Sequence, residues 1–257
     1  MTVVRTDKWI EESGGDPSEI CARLSRYFPA ASTKEIQRHL TQFGMYISAK
    51  QGSALTKKLQ TNNAWDISSN EFKLLRSKWN GPSVPVFIFP SDSDNKVLAS
   101  EFNGKSGLAF ADKIFLFISP NNTETEIKAI LTHEYNHVCR LNLFPKREED
   151  CTLVDTIILE GLAEVAVAER FGEDSTSSWT SLYSDRQLAR FWKDFVYPNR
   201  MHRKNSKIHD KVLYGLGRYP HMAGYAVGYY VVRNFLKSTD YHAEDLLSLP
   251  STEIARL

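Results

Sequence analysis

Residues 131–140 read LTHEYNHVCR, and within them His133, Glu134 and His137 stand in the spacing H-E-x-x-H. On an α-helix, positions i and i+4 lie one above the other on a single face, so both imidazoles can reach one Zn²⁺ at about 2.0–2.1 Å. Glu134, one step round from His133, projects beside such a metal, where its carboxylate can take a proton from a zinc-bound water. The pattern therefore demands a helix beneath it and a third ligand from another element.

The flanking residues predict that helix. Pro120 closes an apolar stretch, Thr123 and Glu126 form a capping box, and Ile127, Ile130, Leu131 and Val138 carry an apolar stripe to about residue 142. A charged connection over 144–151 leads to a second helix over 153–171, closed by Gly172 as a C-cap. In its ILEGLAEVAVAERF, Glu160 and Glu164 lie four apart on one face among Ile157, Ile158, Leu162, Val165 and Ala168. Like charges so placed repel unless something cationic compensates them, and a zinc site would. This helix supplies the missing carboxylate; the plainer alternative is that both glutamates face solvent or pair with Lys or Arg.

HEYNH at 133–137 followed by EGLAE at 160–164 is similar to the H-E-x-x-H … E-x-x-x-D/E arrangement of the thermolysin-like gluzincin metallopeptidases. More closely, VVRTDKWIEE near the start, HEYNHVCRL and LEGLAE resemble the YjaZ-type family of bacillus proteins, known as predicted Zn-dependent proteases. The second likeness covers most of the chain, the first only its catalytic half. Together they imply a zincin-like catalytic domain in which His133, His137 and Glu160 bind zinc and Glu134 is base and proton shuttle. Glu164 stands where gluzincins often place an Asp that orients the first histidine, and is one methylene longer.

Composition bounds the rest. A chain of 257 residues, 42% hydrophobic and 25% charged, is an ordinary globular protein, and 32 Lys plus Arg against 31 Asp plus Glu leave no global field for nucleic acid or an anionic membrane. Cys21, Cys139 and Cys151 are odd in number and scattered, which fits a reducing compartment. The first fifteen residues lack the apolar core of a signal peptide, so the expected location is cytoplasmic. The longest apolar run, 222–236, carries Arg233 and Asn234, falls short of the roughly 20 residues a bilayer needs, and reads as a buried helix.

Taken in order, the periodicity predicts helices from Asp16-Pro17, from the Ser32–Glu35 capping box, over 49–59 and over 70–79. Gly81-Pro82 then punctuates the chain, and strands follow over 84–89, 107–111 and 113–118. The expected class is α+β and predominantly helical: an N-terminal helical region, 1–80, packed on a zincin-like metallopeptidase domain, 81–257, with a small sheet before the motif helix. An aromatic-rich helix is expected over 179–197 and a basic loop over 199–211, with His202, His209 and the distant His39 outside any ligand pattern. A further helix enters at about Met222. Tyr225, and after it His221, are the candidates to stabilise an oxyanion, the alternative for Tyr225 being an ordinary packed aromatic.

The expected function is hydrolysis of peptide bonds in a peptide or protein substrate, with zinc as cofactor and no nucleic-acid or membrane partner. An exposed edge strand at 107–111 could pair with an extended peptide. Two other readings keep the metal: a hydrolase of non-peptide amides or esters, and a non-catalytic zinc-binding regulatory or interaction protein. The latter has no need of Glu134.

Overall fold

Side-chain chemistry sets where most helices begin. In the computed structural model, which describes residues 2–257, the first helices are α1 (Thr6–Glu12), α2 (Pro17–Leu24), α3 (Thr33–Gln42), α4 (Ala49–Thr61) and α5 (Ala64–Trp79). The Asp16 carboxylate accepts from the Ser18 N–H at the start of α2, and Ser32 and Glu35 bond reciprocally at the start of α3. Helix α1 was not expected from periodicity, and α5 begins six residues before the expected 70. Asn63 enters α5 in the left-handed conformation, and Trp65, in its first turn, is buried with its indole N–H on the Thr6 hydroxyl at 3.0 Å.

Strands β1 (Val86–Pro90), β2 (Ser106–Phe110) and β3 (Lys113–Ile118) form one sheet in the order β1-β3-β2, and a short helix α6 (Lys96–Phe102) lies between β1 and β2 in sequence. β1 runs parallel to β3, with Phe87 opposite Phe115; β2 runs antiparallel to it, with Gly107 opposite Leu116 and Leu108 opposite Phe115. The period-2 pleat therefore separates two faces. Phe87, Phe89, Phe115 and Phe117 join Ile10, Ile20, Leu24, Ile36 and Leu40 of α1–α3 in one buried core, with Leu108 and Phe110 packed at its margin. Gly107 falls on the opposite face.

The two edges of the sheet differ. Beside β1, Val3 makes a parallel bridge to Val86, and Met45 bridges Ser91 just beyond the strand. Among the described residues no backbone pairs with the outer side of β2, which is half-buried throughout.

Helix α7 (Glu124–Leu143) follows β3 and carries the H-E-x-x-H residues. Its expected capping box is present: the Thr123 N–H donates to Glu126 at 2.9 Å, and the Glu126 N–H to the Thr123 hydroxyl at 3.2 Å. The chain divides by contacts into two compact units, Met1–Tyr135 and Asn136–Leu257, a division that falls inside α7.

The second unit holds α8 (Leu153–Phe171), α9 (Asp185–Phe191), α10 (Tyr197–Asn199), α11 (Lys207–Tyr214), α12 (Ala223–Lys237) and α13 (Ser251–Ile254). Its centre is the pairing of α8 with α12, made close by glycine on both sides. A Cβ at Gly161 would meet the Gly228 carbonyl oxygen at 2.4 Å, and one at Gly228 would meet the Ile157 carbonyl oxygen at 2.0 Å. Arg140 on α7 is buried; its guanidinium donates to the carbonyls of Leu247 and Leu249 at 2.8 and 2.5 Å and lies over the Phe144 ring. Burial pulls its pKa down to about 10.

The second unit departs from the expected helix and the expected loop at two places. The stretch 179–197 is not one helix: Ser184 and Gln187 form a capping box that starts α9 afresh, and α9 passes into a π-helical turn at Trp192–Val196. The basic segment 199–211 is not loop throughout, because Ser206 caps α11 by accepting from the His209 N–H. His209 is fully buried, with Nε2 at 2.9 Å from the Thr156 hydroxyl. No helix among the described residues is long and apolar enough to cross a membrane.

Burial pushes the Glu126 carboxyl up, but the Thr123 N–H, the Lys105 ammonium and the Asn103 amide outweigh it and hold the pKa at about 2 against an ordinary 4.5. A depressed carboxylate contributes stability that is complete above its unfolded pKa and is lost as pH falls through the folded one. Stability should therefore drop between pH 4.5 and 2, and drop less in Glu126→Gln, in acid titrations followed by circular dichroism. Gly228→Ala should cost about 1–3 kcal/mol in denaturant unfolding, because the α8–α12 approach leaves no room for a methyl group.

Candidate metal centre

Helix α7 brings His133 and His137 onto one face, as their spacing requires, and α8 brings Glu160 to them. One ligand atom from each of these three residues lies within 4.8 Å of the other two, and among the described residues this is the one group of three or more His, Cys, Asp or Glu so gathered. His137 Nε2 and Glu160 Oε2 are 3.7 Å apart. Two ligand atoms bound to a tetrahedral zinc at 2.0–2.1 Å lie about 3.4 Å from each other, so the spacing suits a shared ion. Two imidazoles and a carboxylate are the donor set of a catalytic zinc site with a position left open. His137 is buried, while His133 and Glu160 are half-buried.

The rotation of α7 is fixed by the residue after Glu134. The Tyr135 hydroxyl donates to the Pro82 carbonyl at 3.0 Å, and its ring packs edge-on to Phe72 and stacks on Trp79. This holds Glu134 toward the sheet. Glu134 is only 5% exposed, and β2 passes directly against it: a Cβ at Gly107 would stand 2.3 Å from Oε1 and 2.4 Å from Cδ. Only a residue without a side chain lets the strand come so near. The sequence marked Gly107 as the start of a strand and carried no sign of this approach, since its partner lies 27 positions away.

Glu164, 2% exposed, accepts from the Ser177 N–H at 2.7 Å and the Ser177 hydroxyl at 2.8 Å, one on each carboxylate oxygen. Nothing in the sequence singles out Ser177, because the run of Ser and Thr around it signals only a turn. Tyr225 sits in the first turn of α12, its ring 5.3 Å from that of Trp179 and 5.7 Å from that of Tyr214. His221 is exposed just before α12, and its carbonyl accepts from the Tyr183 hydroxyl at 2.9 Å. His39 lies beside the rings of Phe43 and Phe110.

The closeness of Gly107 and Glu134 is open to a double-mutant cycle. Gly107→Ala should destabilise the protein by about 1–3 kcal/mol, as overpacked contacts do. In the Glu134→Ala background the same change should cost much less, the difference measuring the collision directly. Equal costs in both backgrounds would mean that the strand does not touch the carboxylate.

Residues 64–256 match the family model described as "Predicted Zn-dependent protease (DUF2268)". The chain is 38% identical over 254 residues to the Bacillus subtilis protein "Uncharacterized protein YjaZ", covering 98% of this chain and 97% of that one. A second B. subtilis protein, "Uncharacterized protein YjfC", is 24% identical over 167 residues, 61% of this chain and 55% of its own length. No solved structure matches. The family match spans three quarters of the chain and includes both helices that carry the ligand group, and the chain belongs to the family of predicted Zn-dependent proteases.

Proposed function

We propose that this protein is a zinc-dependent metallopeptidase of the gluzincin type. In this reading residues 81–257 form a zincin-like catalytic domain and residues 1–80 a helical region packed on it. The observation that carries the proposal is the gathering of His133, His137 and Glu160 next to a buried Glu134, since a purely structural metal site has no use for a base. A zinc ion held by those three residues would polarise the scissile carbonyl and lower the pKa of an attacking water to about 7.

The protein's own groups then have defined tasks. Glu134 takes the proton of the attacking water and returns it to the leaving amine, a transfer worth about 10²–10⁴ in rate. Glu164, clamped by Ser177, orients the imidazole of His133. Tyr225 is the first choice as hydrogen-bond donor to the developing oxyanion and His221 the second. The open edge of β2 pairs with the backbone of an extended peptide and leads it to Glu134, past Gly107. A near-neutral charge balance and three free cysteines support a cytoplasmic peptide or protein as substrate.

Glu134→Gln is the test. It should lower cleavage of a peptide library by about 10²–10⁴ while zinc content and melting temperature stay near wild type. Tyr225→Phe should lower kcat by about 10²–10³, as loss of an oxyanion donor does. Full cleavage by Glu134→Gln would refute the mechanism.

A further inference from the structure

The N-terminal helices reach the outer strand β2 as well as the core. Above the sheet face opposite Gly107, aromatic rings step outward from the middle strand: Phe28 stacks on Phe115 of β3, then meets Phe110 of β2 edge-on at 5.7 Å. The His39 ring of α3 lies 6.3 Å from Phe110, and Phe43, one turn further, lies 5.0 Å from His39. Phe43 is 39% exposed, so part of its ring is open to an apolar side chain laid beside it. Its carbonyl accepts from the Ser106 hydroxyl, so the C-terminal end of α3 is tied to the first residue of β2. The unpaired edge of the sheet thus has an apolar step on one side and Glu134 on the other.

A peptide that added itself to that edge would continue the pleat. Its side chains would alternate between the Gly107 side, facing Glu134, and the Leu108–Phe110 side, facing His39 and Phe43. We infer that Phe43 and His39 of α3 form a side-chain subsite that selects substrates with an aromatic or branched aliphatic residue at the alternate positions facing them. This rests on the peptidase reading above and gives it a substrate class: extended segments with spaced apolar side chains. The match to the protease family begins at residue 64, so α3 lies outside the matched residues, and the selectivity would belong to the N-terminal region of this chain.

The experiment uses the full-length, zinc-loaded protein and blocked, fluorescein-labelled octapeptides of Gly and Ala carrying one Phe or one Ser at each position in turn. Cleavage is read on the wild type, and binding by anisotropy on Glu134→Gln, which requires no turnover. Phe should be favoured over Ser by about tenfold or more at alternate positions, the scale that apolar pockets supply. Phe43→Ser should reduce that ratio to near one, whereas Leu74→Ser, a change to an exposed apolar residue of α5, should leave it intact. Phe43→Arg should move the preference to Asp or Glu at the same positions, a gain that a misfolded protein cannot show. Binding preference without cleavage would sink the peptidase reading and leave the subsite standing. Cleavage or binding with unchanged selectivity in Phe43→Ser and Phe43→Arg, or no peptide binding at all, would overturn the subsite.

Discussion

A strand backbone and a carboxylate meet where a single methyl group would not fit. Gly107 of β2 lies against the buried side chain of Glu134, and the arrangement of the first unit follows from keeping them there. Tyr135, wedged between Phe72 and Trp79 and bonded to the Pro82 carbonyl, sets the rotation of α7. The aromatic core on the far face of the sheet sets the plane of β2. With that rotation fixed, helical geometry places His133 and His137 together without further help.

Glu160 comes from α8, whose own position depends on a second glycine contact. Gly161 and Gly228 let α8 and α12 approach to backbone distance, and Gly161 is the residue next to the proposed ligand. Glycine thus acts twice as a spacer near the chemistry, once beside the proposed base and once beside the proposed third ligand. At each place a Cβ would drive apart elements whose separation fixes where Glu134 and Glu160 stand.

Much of this was legible in the sequence because its signals are local. Ser32–Glu35 and Thr123–Glu126 announce helix starts through reciprocal hydrogen bonds, Gly172 ends α8 in a conformation glycine adopts freely, and the apolar KIFLFI run marks β3. H-E-x-x-H carries its geometry in its spacing. What stayed hidden depends on distant partners or on weak local preference. Helices α1 and α6, seven residues each, are too short for periodicity to register, and α1 has no side-chain cap. The break at Ser184 was masked by aromatics that kept a helical appearance across it. The burial of His209 against Thr156, the Ser177 clamp on Glu164 and the approach of Gly107 to Glu134 are all tertiary facts, and composition around each residue reads as loop or edge.

The proposed chemistry requires that His133, His137 and Glu160 hold a metal ion. Elemental analysis of the purified protein, beside His133→Ala/Glu160→Ala, tests it most directly. One zinc per chain is expected in the wild type and none in the double variant, with the variant still folded by circular dichroism. No stoichiometric metal in the wild type, even after incubation with zinc, or full retention by the variant, would contradict it.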